Sequence, residues 1–130
     1  MNTIKEQIMS YIEQSKDLSF LRREFSQLGS YSGVGRALQA LVKEGKLAKF
    51  GYGVYLPAKD GEPTVDWDSA AVVTLEKLGA EPEFGGRAWR EWMEGRTLQV
   101  PAVPTIAVRK RMSRKIGLDN LVYRYEYWKG

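Results

Sequence analysis

The sequence predicts an α+β fold on three observations. Apolar residues recur at helical spacing in three successive segments before Gly45, two short apolar runs then flank a Gly51-Tyr52-Gly53 tip, and the last stretch alternates Tyr123, Tyr125 and Tyr127 with charged residues. Apolar residues make up 43% of the 130, enough to build a packed core in a chain that is also 28% charged.

The first element is a helix. Ile4, Ile8 and Ile12, with Met9 and Tyr11 beside them, predict it from Thr3 to about Ser15 with one buried stripe. Asp17 and Ser19 are caps for the next element. Leu21, Phe25 and Leu28 mark that element as a short second helix that ends at Gly29, a residue able to take the left-handed conformation. Ser30 caps a third helix reaching Glu44, with Val34, Leu38, Leu41 and Val42 on its buried face and Gly45 as its stop. Leu47–Phe50 and Val54–Leu56 around the glycine-flanked tip read as a β-hairpin whose second strand stops at Pro57.

Lys59-Asp60-Gly61-Glu62-Pro63 reads as a polar linker, dividing residues 1–58 from a small α+β lobe over 64–130. In that lobe Trp67, Ala71, Leu75 and Leu78 keep helical spacing, with Asp66 or Asp68 as cap and Gly79 as stop. Arg87–Glu94 predicts another helix, carrying Trp89, Trp92 and Met93 on one side. Everything from Thr97 onward reads as extended, ending in a long strand from Leu121 to Trp128. The tryptophans at 67, 89 and 92 are assigned to the core. The tyrosine row at 123, 125 and 127 reads first as core packing and second as a protein-interaction surface.

Helix, short helix, tight turn, longer helix and hairpin within sixty residues is the plan of a winged helix-turn-helix. The third helix then presents Tyr31, Ser32, Gly35, Arg36, Gln39 and Lys43 opposite its buried face. Arg36 can donate two bonds to guanine and Gln39 can pair with adenine. Ser30 and Ser32, with the helix-start amides, can hold a phosphate, and Tyr31 can touch a thymine methyl. Gly33 and Gly35 each weaken a helix by about 1 kcal/mol relative to alanine, so something approaches the backbone there: DNA, or the second helix packed tightly. The other reading of this face is a solvated helix surface. In the hairpin, Lys46, Lys49 and Tyr52 are either phosphate contacts or ordinary surface.

Charge is segregated: residues 1–58 carry +3, 59–104 carry −4 and 105–130 carry +5. Two basic ends around an acidic middle suit contact with a polyanion. Arg109, Lys110, Arg111, Arg114 and Lys115 put five cations within seven residues, either as added phosphate contacts or as a solvated run. The absence of cysteine and histidine removes disulfides, thiolate and imidazole metal sites and the commonest general base. Gly29-Ser30-Tyr31-Ser32-Gly33 has tyrosine where a nucleophile elbow needs serine, and Gly33-Val34-Gly35 lacks the third glycine of a dinucleotide site. Glu81 and Glu83 alone are weak evidence for a metal. The expectation is a protein that is not an enzyme and has no cofactor. With no apolar run long enough to span a bilayer and an acid-containing amphipathic start, a cytoplasmic location is expected.

The stretch Phe25–Pro57, FSQLGSYSGVGRALQALVKEGKLAKFGYGVYLP, resembles the winged-helix head of AbiEi-like antitoxins of type IV toxin–antitoxin systems and related phage-defence regulators. The likeness lies in Phe25 and Leu28-Gly29 before the turn, in Arg36–Leu47, and in Gly53-Val54-Tyr55 followed by Pro57. It continues more loosely through Thr97–Pro101 and Arg114–Asn120. Relatives often carry arginine just before the wing glycine, where this chain has Tyr52, and its second lobe is shorter. The resemblance implies an antitoxin that represses its own operon beside a nucleotidyltransferase-like toxin. The function expected is therefore sequence-specific binding of a double-stranded operator as a transcriptional repressor, with a homodimer or cooperative binding to extend a short site. The alternative is a winged-helix module that binds a toxin or other protein partner.

Overall fold

The structure is a computed structural model that describes residues 3–84, 105–118 and 121–127. Helix and strand are mixed in it, as α+β predicts.

Thr3 caps α1 (Ile4–Ser15), its hydroxyl oxygen accepting from the Glu6 amide at 3.1 Å. Lys16, at φ 55, closes the helix with its N–H on the Ile12 carbonyl. Ile8 and Ile12 are buried. β1 (Phe20–Leu21) comes next, and the short second helix follows as a 3-10 helix (Arg22–Leu28) that begins after Leu21. Leu21 belongs to a strand, paired with Val54, and the Glu24 carboxylate accepts from its amide at 2.7 Å, which fixes where the short helix begins. Gly29 is extended, at φ 173, and not left-handed. A Cβ there would stand 2.6 Å from Ile4 Cδ1, so a larger residue would have to displace the end of that side chain.

Ser30 caps α2 (Tyr31–Lys43), its Oγ accepting from the Gly33 amide at 3.0 Å. Val34, Ala37, Leu38 and Leu41 form the buried face, while Val42, expected there, lies at its edge. β2 (Leu47–Gly51) and β3 (Val54–Lys59) make the hairpin, with a bulge between Lys49 and Gly51.

Pro57 does not stop β3. Its carbonyl accepts from the Thr64 amide at 3.0 Å, and because N and C=O of one strand residue face the same edge, its missing N–H falls where the short partner strand ends. That partner is β4 (Glu62–Pro63), reached through Asp60 at φ 52 and Gly61 at φ 83. Two positive φ values in succession are what a two-residue type I′ hairpin requires. The expected linker is therefore a second hairpin.

Asp66 caps α3 (Trp67–Lys77), accepting from the Ser69 amide at 2.9 Å, and the helix buries Ala70, Ala71, Thr74 and Leu75. Trp67 is only half-buried beside Leu121 and Tyr123, not central in the core as expected. β5 (Glu83–Phe84) pairs antiparallel with β6 (Thr105–Val108). The long terminal strand is broken. β7 (Gly117–Leu118) pairs antiparallel with β8 (Leu121–Val122), and β9 (Arg124–Tyr127) runs parallel to β6. The break is Tyr123: its amide turns to the Ile116 carbonyl and its ring is buried edge-on to Phe50, centroids 6.1 Å apart. Of the tyrosine row, Tyr123 is buried, Tyr125 half-buried and Tyr127 exposed. The helix expected at 87–94 with Trp89, Trp92 and Met93, the Thr97–Pro101 segment and Trp128 lie outside the described residues. Among those described, no helix is long and apolar enough to cross a membrane.

The sheet order is β1-β3-β2, and both faces are covered. On one face Phe20, Leu47 and Tyr55 pack with α1, Phe25 and α2. On the other Leu21, Phe50, Val54 and Leu56 pack with α3, Ile106, Val108, Ile116 and Tyr123. Residues beyond the expected boundary at 58–64 thus pack against one face of a sheet built by residues 20–63.

Lys77, at the end of α3, ties the two sides together. Its ammonium donates to the Ser19 carbonyl at 2.6 Å, to Asp17 Oδ2 at 2.8 Å and to both Glu24 oxygens at 3.0 Å, and it lies 4.9 Å from the Phe20 ring centroid. Buried Thr74 donates to the Ala70 carbonyl, so in its 2.6 Å contact with Ser19 the serine is the donor. Burial alone pulls Lys77 down, but Asp17 and Glu24 outweigh it and hold the lysine above its ordinary value. Burial likewise pushes Asp17 up, but Lys77 and the Leu18 amide outweigh it and hold the carboxyl below its ordinary value.

A carboxylate depressed on folding stabilises the protein above its unfolded pKa and loses that contribution as pH falls through the folded one. Urea denaturation of Lys77→Met is expected to show a loss of about 2–4 kcal/mol at neutral pH. It is also expected to show a shallower fall in stability on acidification below about pH 4 than the parent, because Asp17 no longer carries a depressed pKa. A neutral-pH loss under about 0.5 kcal/mol would remove Lys77 from this role.

Candidate nucleic-acid interface

The outward face of α2 is set by its inward one. With Val34, Leu38 and Leu41 buried, Tyr31, Ser32, Arg36, Gln39 and Lys43 are exposed, and Tyr31 is 74% so. Ser30 has its oxygen engaged as the helix cap, which leaves its proton as the group it can offer a phosphate.

Opposite this face stands the hairpin tip, with Tyr52 73% exposed. Lys49 and Tyr55 are register partners, so both side chains leave the hairpin on the side of α2, and the Lys49 ammonium is 6.0 Å from the Tyr52 ring centroid. Between tip and helix runs a groove of about 350 Å³, lined by Arg22, Gly35, Gln39, Lys49, Tyr52 and Tyr55. Burial pushes the Tyr55 hydroxyl up against the opposing pull of Arg22, so it stays a neutral hydrogen-bonding group.

Arg22 is the residue that sequence reasoning missed. Its backbone N–H donates to the Gly53 carbonyl at 2.9 Å, its Nη2 donates to the Tyr31 carbonyl at 2.6 Å, and its guanidinium carbon lies 3.7 Å from the Tyr31 ring centroid. A Cβ on Gly35 would stand 2.7 Å from Nη2, while one on Gly33 would meet Ser30 Oγ at 2.9 Å and Ile4 Cδ1 at 3.2 Å. The close approach that the helix glycines signal is therefore made by the protein itself. A glycine inside an amphipathic helix, with two arginines at the start of the preceding element, was the available sign.

The C-terminal basic run is divided. Arg114 reaches the tip, its Nη1 donating to the Tyr52 carbonyl at 3.4 Å, and Lys115 accompanies it there, since its carbonyl would lie 2.7 Å from a Cβ on Gly51. Gly51 also bridges to Ile116, and the Tyr125 hydroxyl donates to the Arg114 carbonyl at 2.6 Å. Burial pushes that hydroxyl up to about 12, with Arg114 pulling the other way. The rest of the run goes elsewhere: the Arg109 amide donates to the Ala80 carbonyl, Lys110 points to Gly79 at the end of α3, and Arg111 lies over the Tyr127 ring at 4.8 Å. A cation there complements the carbonyl end of α3, as does Arg23, which donates to the Lys77 carbonyl.

Tyr125→Phe removes the donor that fixes Arg114. It is expected to cost about 1 kcal/mol in urea denaturation and to speed amide exchange over residues 114–118, leaving α2 unchanged. Unaltered exchange over 114–118 would show that the backbone pairing with Gly51 alone holds the segment. No model of a known protein family matches the chain, and no curated protein matches it.

Proposed function

We propose that the chain is a sequence-specific double-stranded DNA-binding regulator, built as a winged helix-turn-helix and acting as a transcriptional repressor. In this reading α2 lies in the major groove with Arg36 and Gln39 toward base edges. Tyr31, Ser32 and Lys43 flank them, and Lys49, Tyr52, Arg114 and Lys115 hold phosphates from the hairpin side.

The observation that carries the reading is convergence. Cations drawn from residues 22, 49 and 114, far apart in sequence, border one surface around the tip and the outward face of α2. Meanwhile the carboxylates of Asp17 and Glu24 are both turned to the Lys77 ammonium. A surface with arginine, glutamine, lysine and tyrosine side chains projecting and its carboxylates withdrawn suits a polyanion whose base edges are to be read. The operon-level role, an antitoxin that represses its own operon beside a nucleotidyltransferase-like toxin, is proposed on the resemblance of Phe25–Pro57 alone.

Fluorescence anisotropy with the duplex upstream of the chain's own gene, set against a scrambled duplex at low and near-physiological salt, tests this. Arg36→Ala and Gln39→Ala are each expected to cost about 1–3 kcal/mol on the cognate duplex and little on the scrambled one. Lys49→Ala and Arg114→Ala are expected to weaken both alike and to flatten the salt dependence. Equal losses on both duplexes for the α2 variants would remove that helix as the reader, and no preference for the cognate duplex in the parent would remove the function.

A further inference from the structure

The groove beside α2 does not stop at its ends. Arg22 also borders, with Arg23, a hollow lined by Ser26, Gly29 and Tyr31 and another lined by Leu78 and Arg114. Three adjoining depressions that share one arginine make a track and not a closed pocket, which fits a polymer better than a small molecule. The charged groups along it are Arg22, Arg23, Lys49 and Arg114, so the polymer is a polyanion.

We infer that this track seats a single sugar–phosphate strand of the duplex, with Arg22 as its central phosphate clamp. The inference rests on the DNA-binding reading and adds to it the residue and the strand. A helix in the major groove and a hairpin tip directed at the neighbouring minor groove have one backbone strand between them, and the central depression of the track is the groove between α2 and the tip. Arg22 is set for this before any ligand arrives. One of its five N–H donors is spent on the Tyr31 carbonyl, its face is laid on the Tyr31 ring, and its backbone is tied to Gly53, so both walls hold it in place. Gly35 is the opening that lets the guanidinium lie against α2.

Methylphosphonate substitution, which removes the charge of one phosphate at a time, tests it on the full chain by anisotropy. With the parent protein, one or two adjacent positions on one strand are expected to cost at least about fivefold in affinity. In Arg22→Met those positions are expected to become silent, overall affinity to fall about tenfold or more on cognate and scrambled duplexes alike, and the salt slope to drop by about 1.

Because Arg22→Met also loses a hydrogen bond and a ring contact, Gly35→Ala is the second variant. Its new methyl displaces the guanidinium from the Tyr31 carbonyl and ring but favours the helix by about 1 kcal/mol, so Tm is expected to stay within a few degrees of the parent's as affinity falls and the same phosphate positions lose their effect. A folded Arg22→Met or Gly35→Ala protein that keeps the parent's phosphate profile would overturn the clamp while leaving duplex recognition standing. Absence of duplex binding in the parent would overturn both. Binding to single strands in preference to duplex, with Arg22 still required, would keep the polyanion track and overturn the placement on a duplex.

Discussion

The structure depends on one strand being covered from both sides. Val54, Tyr55 and Leu56 are consecutive and all buried, which a strand with one solvated face does not show. Tyr55 faces the α1–α2 side, and Val54 and Leu56 face α3 and Ile116. β3 in turn pairs with β1, β2 and β4, so every neighbouring element takes its position from it. A half-buried ammonium reinforces this arrangement. Lys77 reaches from α3 to three groups on the loop before β1 and on the 3-10 helix, and its own carbonyl accepts from Arg23 in return.

The same arrangement sorts charge. Asp17 and Glu24 belong to the basic end of the sequence yet lie at Lys77, and Lys77 belongs to the acidic middle. This part-buried exchange turns two of the carboxylates of residues 1–58 toward α3. The C-terminal strands contribute by holding Arg114 and Lys115 at the tip, through the Gly51–Ile116 bridge and the Tyr125 hydroxyl, so a region that reads as a separate lobe completes the surface begun by α2.

What could be read from the sequence was what neighbours in sequence decide. Ser30 and Asp66 cap helices because a side-chain oxygen three residues before an amide can reach it, and the buried face of α2 is dictated by spacing alone. The Asp60-Gly61 hairpin was just as local but its strands are two residues long, too short for alternation to show, so only the turn pair signalled it. The start of the short second helix was not legible because Leu21 is claimed by a strand 33 residues away in sequence. For the candidate site, the exposed face of α2 was legible, whereas Arg22 over Gly35 and Arg114 at Tyr52 depend on contacts across 13 and 62 residues that no periodicity encodes.

Sharing β3 between two cores has a consequence for how the molecule can be taken apart. A fragment ending near Pro57 would keep α1, α2 and the hairpin but lay bare Leu21, Phe50, Val54 and Leu56, a contiguous oily sheet face beside an unpaired strand edge. Such a fragment is a candidate for aggregation, not a portable unit. Grafting experiments, fusion designs and limited digestion should therefore treat the hairpin and its backing strands as one inheritance unit, in which the surface that faces outward cannot be moved without the layer that lies beneath it.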